Sequence, residues 1–357
     1  MFIKSLLRFK DIILPFVALA LGLSGALFLV SLLGESPLNV LSILVEGSIG
    51  SPTQLGYSLY YASPLLLTGL SVAWAFRAGL FNIGAEGQMV LGALAMSATG
   101  IYLNQLPWYM AVPLAMVAAF LVGGIWGGIA GWIKAKRGCH EVLATILLNF
   151  IAYGISSFFI LVVMKNPDSQ VPETAPVGLG YQIAPLSWIG GTSPLNWSFF
   201  IALGLVIVYG FIFAKTRLGF YQKLAGSAPA VGARAGINMD RQTILAMFIS
   251  GGLAGLAGMS PVLGYAFKTR EGFSAGAGFV GIAVALLGRN SAVGIIFASI
   301  LFGVLTKGAL NLDLDTEKVS RDLAVIIQAL IVLAVASRHG LTDFWSYIQN
   351  LLSRRRS

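Results

Sequence analysis

Residues 77–88 read RAGLFNIGAEGQ and hold Arg77 and Glu86, the only charged residues between Glu46 and Lys134, with the carboxamides Asn82 and Gln88. A guanidinium, a carboxylate and two amides so close together can pair with each other, present hydrogen bonds to a polar solute, or move a proton at Glu86. An ionisable side chain at membrane depth costs several kcal/mol unless it is paired or wetted, so it marks a pathway or a structural pair. Arg77 and Glu86 are nine positions apart, at least two turns on a straight helix. A break around Gly79 to Gly84 would allow them to meet. Such a break is tolerated in a membrane only where it is packed in protein or lines a water-filled cavity. Gly79, Gly84, Gly87 and Gly92 by themselves are explained by close helix packing; Asn82, Glu86 and Gln88 are not. The reading is a broken helix beside a solute pathway. Asn82, Glu86 and Gln88 form its polar surface, and Trp74, Phe76 and Phe81 are candidate apolar walls. Aromatic residues near span ends also serve as interfacial anchors, and a purely structural Arg77–Glu86 pair is the competing reading.

No catalytic chemistry accompanies this stretch. The chain has no Gly-Lys dipeptide, and hence no phosphate loop of the usual type. It has no His-Glu-x-x-His helix. Cys139 is the single cysteine, which excludes an intramolecular disulfide and a thiol metal site. His140 has no second histidine nearby and reads as a helix-end residue. Nothing in the sequence supports an intramembrane enzyme, and no cofactor and no metal are expected.

The elements that carry these residues follow from composition. The 357 residues are 57% hydrophobic and 10% charged, against about 25% charged in a soluble domain. Repeated apolar runs of about 20 residues predict an all-α polytopic membrane protein. Ten spans are expected, at about 12–34, 58–76, 87–104, 109–133, 142–164, 197–214, 243–265, 276–288, 292–310 and 320–337, the eighth short enough for a half-helix. The run from Ile12 to Leu33 is too long for a cleavable signal and is expected to remain as a span. The net charge of +9 does not point to nucleic acid, because the basic residues gather at span ends. With the N-terminus inside, the inner segments include Lys134, Lys136, Arg137, Lys215, Arg217, Lys223, Arg234, Arg241 and Arg354 to Arg356. The outer segments hold only Lys165, Lys268, Arg270, Lys307, Lys318 and Arg321. The asymmetry predicts both termini in the cytoplasm. The tail at 341–357 reads as an amphipathic interfacial helix, or as a frayed end, and 35–52 as a segment lying along the outer surface.

Two loops interrupt the spans. The outer one, 165–197, contains Pro167, Pro172, Pro176, Pro185 and Pro194; a loop so long is functional or disordered. The inner one spans 215–242. There Ser227 followed by Pro229 reads as a helix start, PAVGARAG as a short helix, and Gly236 as its end. A short, small-faced helix suits a groove on a partner, although an ordinary connector reads equally well.

An internal repeat also emerges. RAGLFNIGAEG (77–87) and REGFSAGAG (270–278) each follow one span and open another. The first lies on the expected inner side and the second on the outer, as an inverted-topology repeat requires. Spans 2–5 and 7–10 would then be related by a pseudo-two-fold axis in the membrane plane.

At these residues the sequence resembles a known family. GLSVAWAFRAGLFNIGAEGQMVLGA (69–93) looks like the signature of ABC-transporter permeases of the ribose, branched-chain amino acid and nucleoside group. FNIGAEGQ (81–88) is typical of the purine-nucleoside branch linked to basic membrane lipoproteins. AGSAPAVGARAGIN (225–238) is similar to the family's cytoplasmic coupling segment at Gly226, Pro229, Arg234, Gly236 and Ile237, and the resemblance implies ATPase coupling through Gly226, Ser227, Pro229, Arg234 and Gly236. It departs at Ala228, where the family has asparagine, and at Gly232, where it has alanine. GFVGIAVALLGRNSAVGIIFASILFG (278–303) resembles the C-terminal signature. The resemblance implies a pathway-forming permease in the bacterial plasma membrane. Its implied partners are a second permease, homologous but different; an ATPase with two nucleotide-binding domains docked at 225–238; and an extracytoplasmic solute-binding lipoprotein. Nucleosides are the first expected solute and simple sugars the alternative. From another class, an ion-coupled secondary transporter would use Glu86 as its coupling carboxylate.

Overall fold

The computed structural model describes residues 20, 22–316, 322, 325–327, 329 and 330. The expected tail helix at 341–357, much of the span at 320–337 and the start of that at 12–34 lie outside the described residues. Every regular element described is helical. In chain order the helices are α1 (Gly22–Leu32), α2 (Pro37–Ile49), α3 (Pro52–Arg77), α4 (Ala85–Tyr102), α5 (Trp108–Arg137) and α6 (Glu141–Phe158). A short turn α7 (Ser187–Gly190) precedes α8 (Ser198–Lys215), α9 (Arg217–Ser227) and α10 (Pro229–Arg234). They are followed by α11 (Met239–Gly255), α12 (Ala277–Leu287) and α13 (Ala292–Asp315).

Six helical stretches among the described residues are long and apolar enough to cross a membrane. This is the architecture of a multi-pass membrane protein. The sequence expectation of ten spans is not met by that measure. The expected span at 87–104 forms α4, 18 residues long, but Glu86 and Gln88 in its first turn reduce its apolarity. The one at 276–288 forms α12, 11 residues long, about 16 Å and half of a hydrocarbon layer about 30 Å thick.

Contacts divide the chain into two units, 48–304 and 1–47 with 305–357. In the larger unit, α3 and α11 are central: 72% of each apolar window is buried, against 22% for the span that begins with α6. Helix α6 turns Leu147, Phe150 and Ile151 outward, as a lipid-facing helix does. The α5–α11 contact is close because both surfaces are glycine. A Cβ on Gly127 would lie 3.0 Å from the Gly251 Cα, and one on Gly123 would lie 2.9 Å from the Gly255 Cα. Any side chain there would part the helices. In the smaller unit, Val30, Val40 and Leu44 are buried, and Gly47 adjoins Asn311 while Gly308 adjoins Leu44.

Local chemistry explains where the central helices begin and stop. Ser51 caps α3 by accepting from the Gln54 amide at 3.2 Å, with Pro52 in the first turn. At the other end Gly79 is left-handed, φ 72°. The Leu80 amide donates to the Ala75 carbonyl and the Gly79 amide to that of Phe76. That double bond is the glycine stop in which a left-handed residue lets the chain satisfy the last carbonyls. Helix α5 ends likewise at left-handed Gly138, behind Lys134, Lys136 and Arg137. Those cations favour the negative end of the helix. Helix α11 does not stop cleanly. It passes through a 3-10 turn, Leu256–Gly258, into a π-helical stretch, Met259–Ala266, and ends at left-handed Phe267.

Candidate functional site

The break between α3 and α4 is expected from the sequence, and its wiring is not. Glu86 and Arg77 do not pair. The Glu86 carboxylate reaches α12: Oε1 accepts from the Ser274 hydroxyl at 2.5 Å and the Gly276 amide at 3.2 Å, and Oε2 accepts from the Gly278 amide at 2.6 Å. It thus serves the free amides at the start of α12, which has no side-chain cap of its own. A negative charge there is also favoured by the helix dipole. Arg77 instead donates to the Asn290 carbonyl through Nε at 3.1 Å and Nη2 at 2.8 Å. The Tyr209 hydroxyl donates to the same oxygen at 2.8 Å. Asn290 and Arg289 both have positive φ, 52° and 53°, so this carbonyl belongs to a tight reversal between α12 and α13 that Arg77 and Tyr209 clamp. The separation has a simple origin: α4 starts its own helix at Ala85 and turns Glu86 away from the end of α3.

Asn82 and Gln88 do meet. The Asn82 Nδ2 donates to the Gln88 Oε1 at 2.7 Å, and the Gln88 Nε2 donates back to the Asn82 Oδ1 at 3.1 Å. The Asn82 Oδ1 also accepts from the Gly84 amide at 2.9 Å, and its Nδ2 donates to the Ser250 hydroxyl at 2.8 Å. Ser250 in turn donates to the Ser71 carbonyl at 2.7 Å. This closed network joins α3, the break, α4 and α11. Asn82, Glu86 and Gln88 are 0%, 2% and 1% exposed, so in this conformation their hydrogen bonds are all made to protein. Phe81 stacks on Phe76 with centroids 5.1 Å apart. Trp74 lies elsewhere, against Phe213 at 4.9 Å and Tyr209 at 6.0 Å on α8.

Sequence reasoning passes over the residues that hold the break from outside. Asn149 on α6 accepts from the Gly87 amide at 2.9 Å and donates to the Ile83 carbonyl at 3.0 Å. Glu141 accepts from the Phe81 amide at 3.3 Å and pairs with Lys134. Asn149 is a lone amide in the apolar run LATILLNFIAY, and that contrast was a readable signal.

The inner loop touches the same break. Gly226 lies backbone to backbone on Gly79: a Cβ on Gly226 would be 2.6 Å from the Gly79 nitrogen and 2.7 Å from the Arg77 carbonyl oxygen. Ser227 is not a helix start. It is the last residue of α9, and its hydroxyl donates to the Lys223 carbonyl at 2.9 Å. Helix α10 starts at Pro229, and left-handed Gly236, φ 79°, follows it. Pro229, Val231, Arg234 and Gly236 are exposed, while Gly232 is buried.

The loop at 165–197 is tied down at the far end of α3 and α4. Buried Glu173 accepts from Lys268 at 2.7 Å and Arg270 at 3.1 Å. The Lys268 hydrogen bond above all holds its carboxyl down to about 2. The Val177 amide donates to the Phe267 carbonyl at 2.8 Å and the Ile183 amide to that of Leu263, also at 2.8 Å. Among the described residues there is no group of three or more histidine, cysteine or acidic side chains able to hold a metal.

A broken helix, a clamped reversal and an exposed small helix thus meet around one central helix pair. The family described as branched-chain amino acid transport system / permease component matches residues 54–336. The chain belongs to that family. As a permease component it is similar over nearly its whole length to the guanosine ABC transporter permease protein NupP of Bacillus subtilis. The identity is 35%, covering 94% of this chain and 95% of that one. A second guanosine ABC transporter permease protein of that organism, NupQ, is 27% identical over 74% of this chain and 81% of its own. The glucose ABC transporter permease protein TsgB13 of Haloferax volcanii is 33% identical over 87% of this chain and 82% of its own.

Proposed function

We propose that this permease forms half of the translocation pathway of an ATP-binding-cassette importer for nucleosides. The observation that carries the reading is the similarity to the guanosine permease NupP, which covers 94% of this chain and 95% of that one. Two different guanosine permeases from one organism resemble the chain, which favours a different but homologous permease as its partner. Partner ATPases hydrolyse the ATP, docking on Gly226, Ser227, Pro229, Arg234 and Gly236 within 215–242. A solute-binding lipoprotein meets the opposite face at 165–197. Both termini face the cytoplasm of a bacterial cell, with the tail at 341–357 on the inner leaflet. Ten spans, with 2–5 and 7–10 as an inverted repeat, remain the proposed topology. In its favour, the two breaks each precede a new helix, and Glu86 links the starts of those helices.

Trp74, Phe81, Asn82, Glu86 and Gln88 flank the pathway as the parts that move. In the conformation described their polar atoms are satisfied internally, so they reach solute only when the break opens. Hydrolysis pulls on α9 and α10. The Gly226–Gly79 contact passes the displacement to the break, and Glu86 passes it on to α12. The glucose permease relative supports simple sugars as the second reading. The use of Glu86 as a helix cap weighs against an ion-coupled carrier, because its oxygens are already engaged. The test is guanosine uptake by the assembled transporter with the partner ATPase inactivated and the proton gradient intact. Uptake is expected to stop. Continued uptake would show a secondary transporter, and uptake of sugars alone would show the second reading.

A further inference from the structure

We infer that Tyr60 and Tyr265, with Tyr61 beside them, form the aromatic wall on which the nucleobase stacks during passage; this rests on the nucleoside reading above. Tyr60 is the centre of the group. Its ring meets Tyr61 edge-on at 5.3 Å and Tyr265 edge-on at 5.6 Å. Tyr60 and Tyr61 are half-buried, and Tyr265 is 55% exposed. The group presents one open ring, that of Tyr265, held edge-on by Tyr60.

Backbone geometry marks the place. Tyr265 is presented by the π-helical stretch Met259–Ala266, closed by left-handed Phe267; such stretches occur mostly as short insertions, frequently at functional sites. The loop proposed to receive the solute-binding protein borders the same place. Gly56, one turn before Tyr60 on the same face of α3, touches Ser193 and Gly190, and Gly264 touches Asn196. Solute released at that loop meets these rings before it meets Asn82 and Gln88.

The chemistry suits a nucleoside. A base has a π-face that stacks on an exposed phenol whatever its sequence of donors and acceptors, and the adjoining edge-on ring completes the preferred aromatic geometry. The neighbouring hydroxyls can exchange hydrogen bonds with ribose. A sugar without a base has no such face.

The test uses the assembled transporter in proteoliposomes with saturating binding protein. Guanosine uptake by Tyr265→Ala is expected to fall on the order of tenfold. Tyr265→Phe is expected to retain most uptake. With Cys139→Ala, a Tyr265→Cys thiol should react with an aqueous reagent and be protected by guanosine but not by ribose. Unchanged uptake by Tyr265→Ala, or labelling insensitive to guanosine, overturns the site while wild-type guanosine uptake leaves the importer reading standing. Cross-linking of that thiol to the second permease assigns the ring to a subunit interface and also overturns the site. A wild-type transporter that carries no nucleoside overturns both readings.

Discussion

Glu86 shows how a residue can be legible while its role is not. A lone carboxylate in an apolar run announces itself, and so do Asn82 and Gln88. What each touches depends on helices far away in sequence. Ser274, Asn290 and Ser250, the partners, are ordinary residues in hydropathy and give no comparable signal. The competing reading, a structural Arg77–Glu86 pair, therefore gives way to two separate clamps, one on the start of α12 and one on the reversal before α13. This has a measurable consequence. Glu86→Gln keeps the shape but replaces one acceptor with a donor that faces backbone amides. It is expected to lower the stability of the detergent-solubilised chain by about 1–3 kcal/mol and to reduce uptake. Adding Arg77→Gln should make matters worse and not better, since its partner is the Asn290 carbonyl. Thermal unfolding of the two single variants and the double variant checks this, with near-additive losses expected. Recovery in the double variant would restore the direct ion pair.

At the scale of elements, the sequence exposes the breaks through their glycines and the long helices through their apolar runs. It gives ten spans where six helical stretches among the described residues are long and apolar enough to cross, because an apolar window reads a half-length helix such as α12 like a full one. It also misplaces Ser227, since a serine before proline looks the same whether it opens one helix or ends another. The Gly79–Gly226 contact was beyond reach for a different reason: both glycines are visible, but their meeting is a matter of tertiary packing. That contact gives the second break-related prediction. A methyl on Gly226 would press on the backbone of residues 77–79, where no flexible side chain can yield. Gly226→Ala is expected to leave ATP hydrolysis by the assembled transporter within about twofold of normal while uptake per ATP hydrolysed falls severalfold. Gly154→Ala on α6, where a Cβ meets nothing within 4 Å, is the control and should change neither. Equal coupling ratios in the two variants would remove this contact from the transmission path.

For the whole molecule, the buried state of the polar cluster and its proposed place beside the pathway require a conformational cycle. Asn82 and Ser250 are both 0% exposed, and their hydrogen bonds join the break, α3 and α11. A network so complete is stable when closed, and its groups are left unpaired by a small shift unless water enters. Two arrangements are then favoured over intermediate ones, closed and dry or open and wet. That is the bistable behaviour that alternating access needs. Ser250→Cys replaces a hydroxyl with a thiol of similar size and so perturbs the cluster less than a change at Asn82. In a Cys139→Ala background its thiol is expected to resist small aqueous reagents in the resting transporter. It should become reactive while ATP and loaded binding protein drive turnover, and be protected again when the partner ATPase is inactivated. Asn82→Cys should follow the same order with a higher resting rate, because it opens part of the network. Reaction at the same slow rate under all three conditions would place the cluster in a permanently dry core, where it serves packing alone, and the pathway would have to run past other residues.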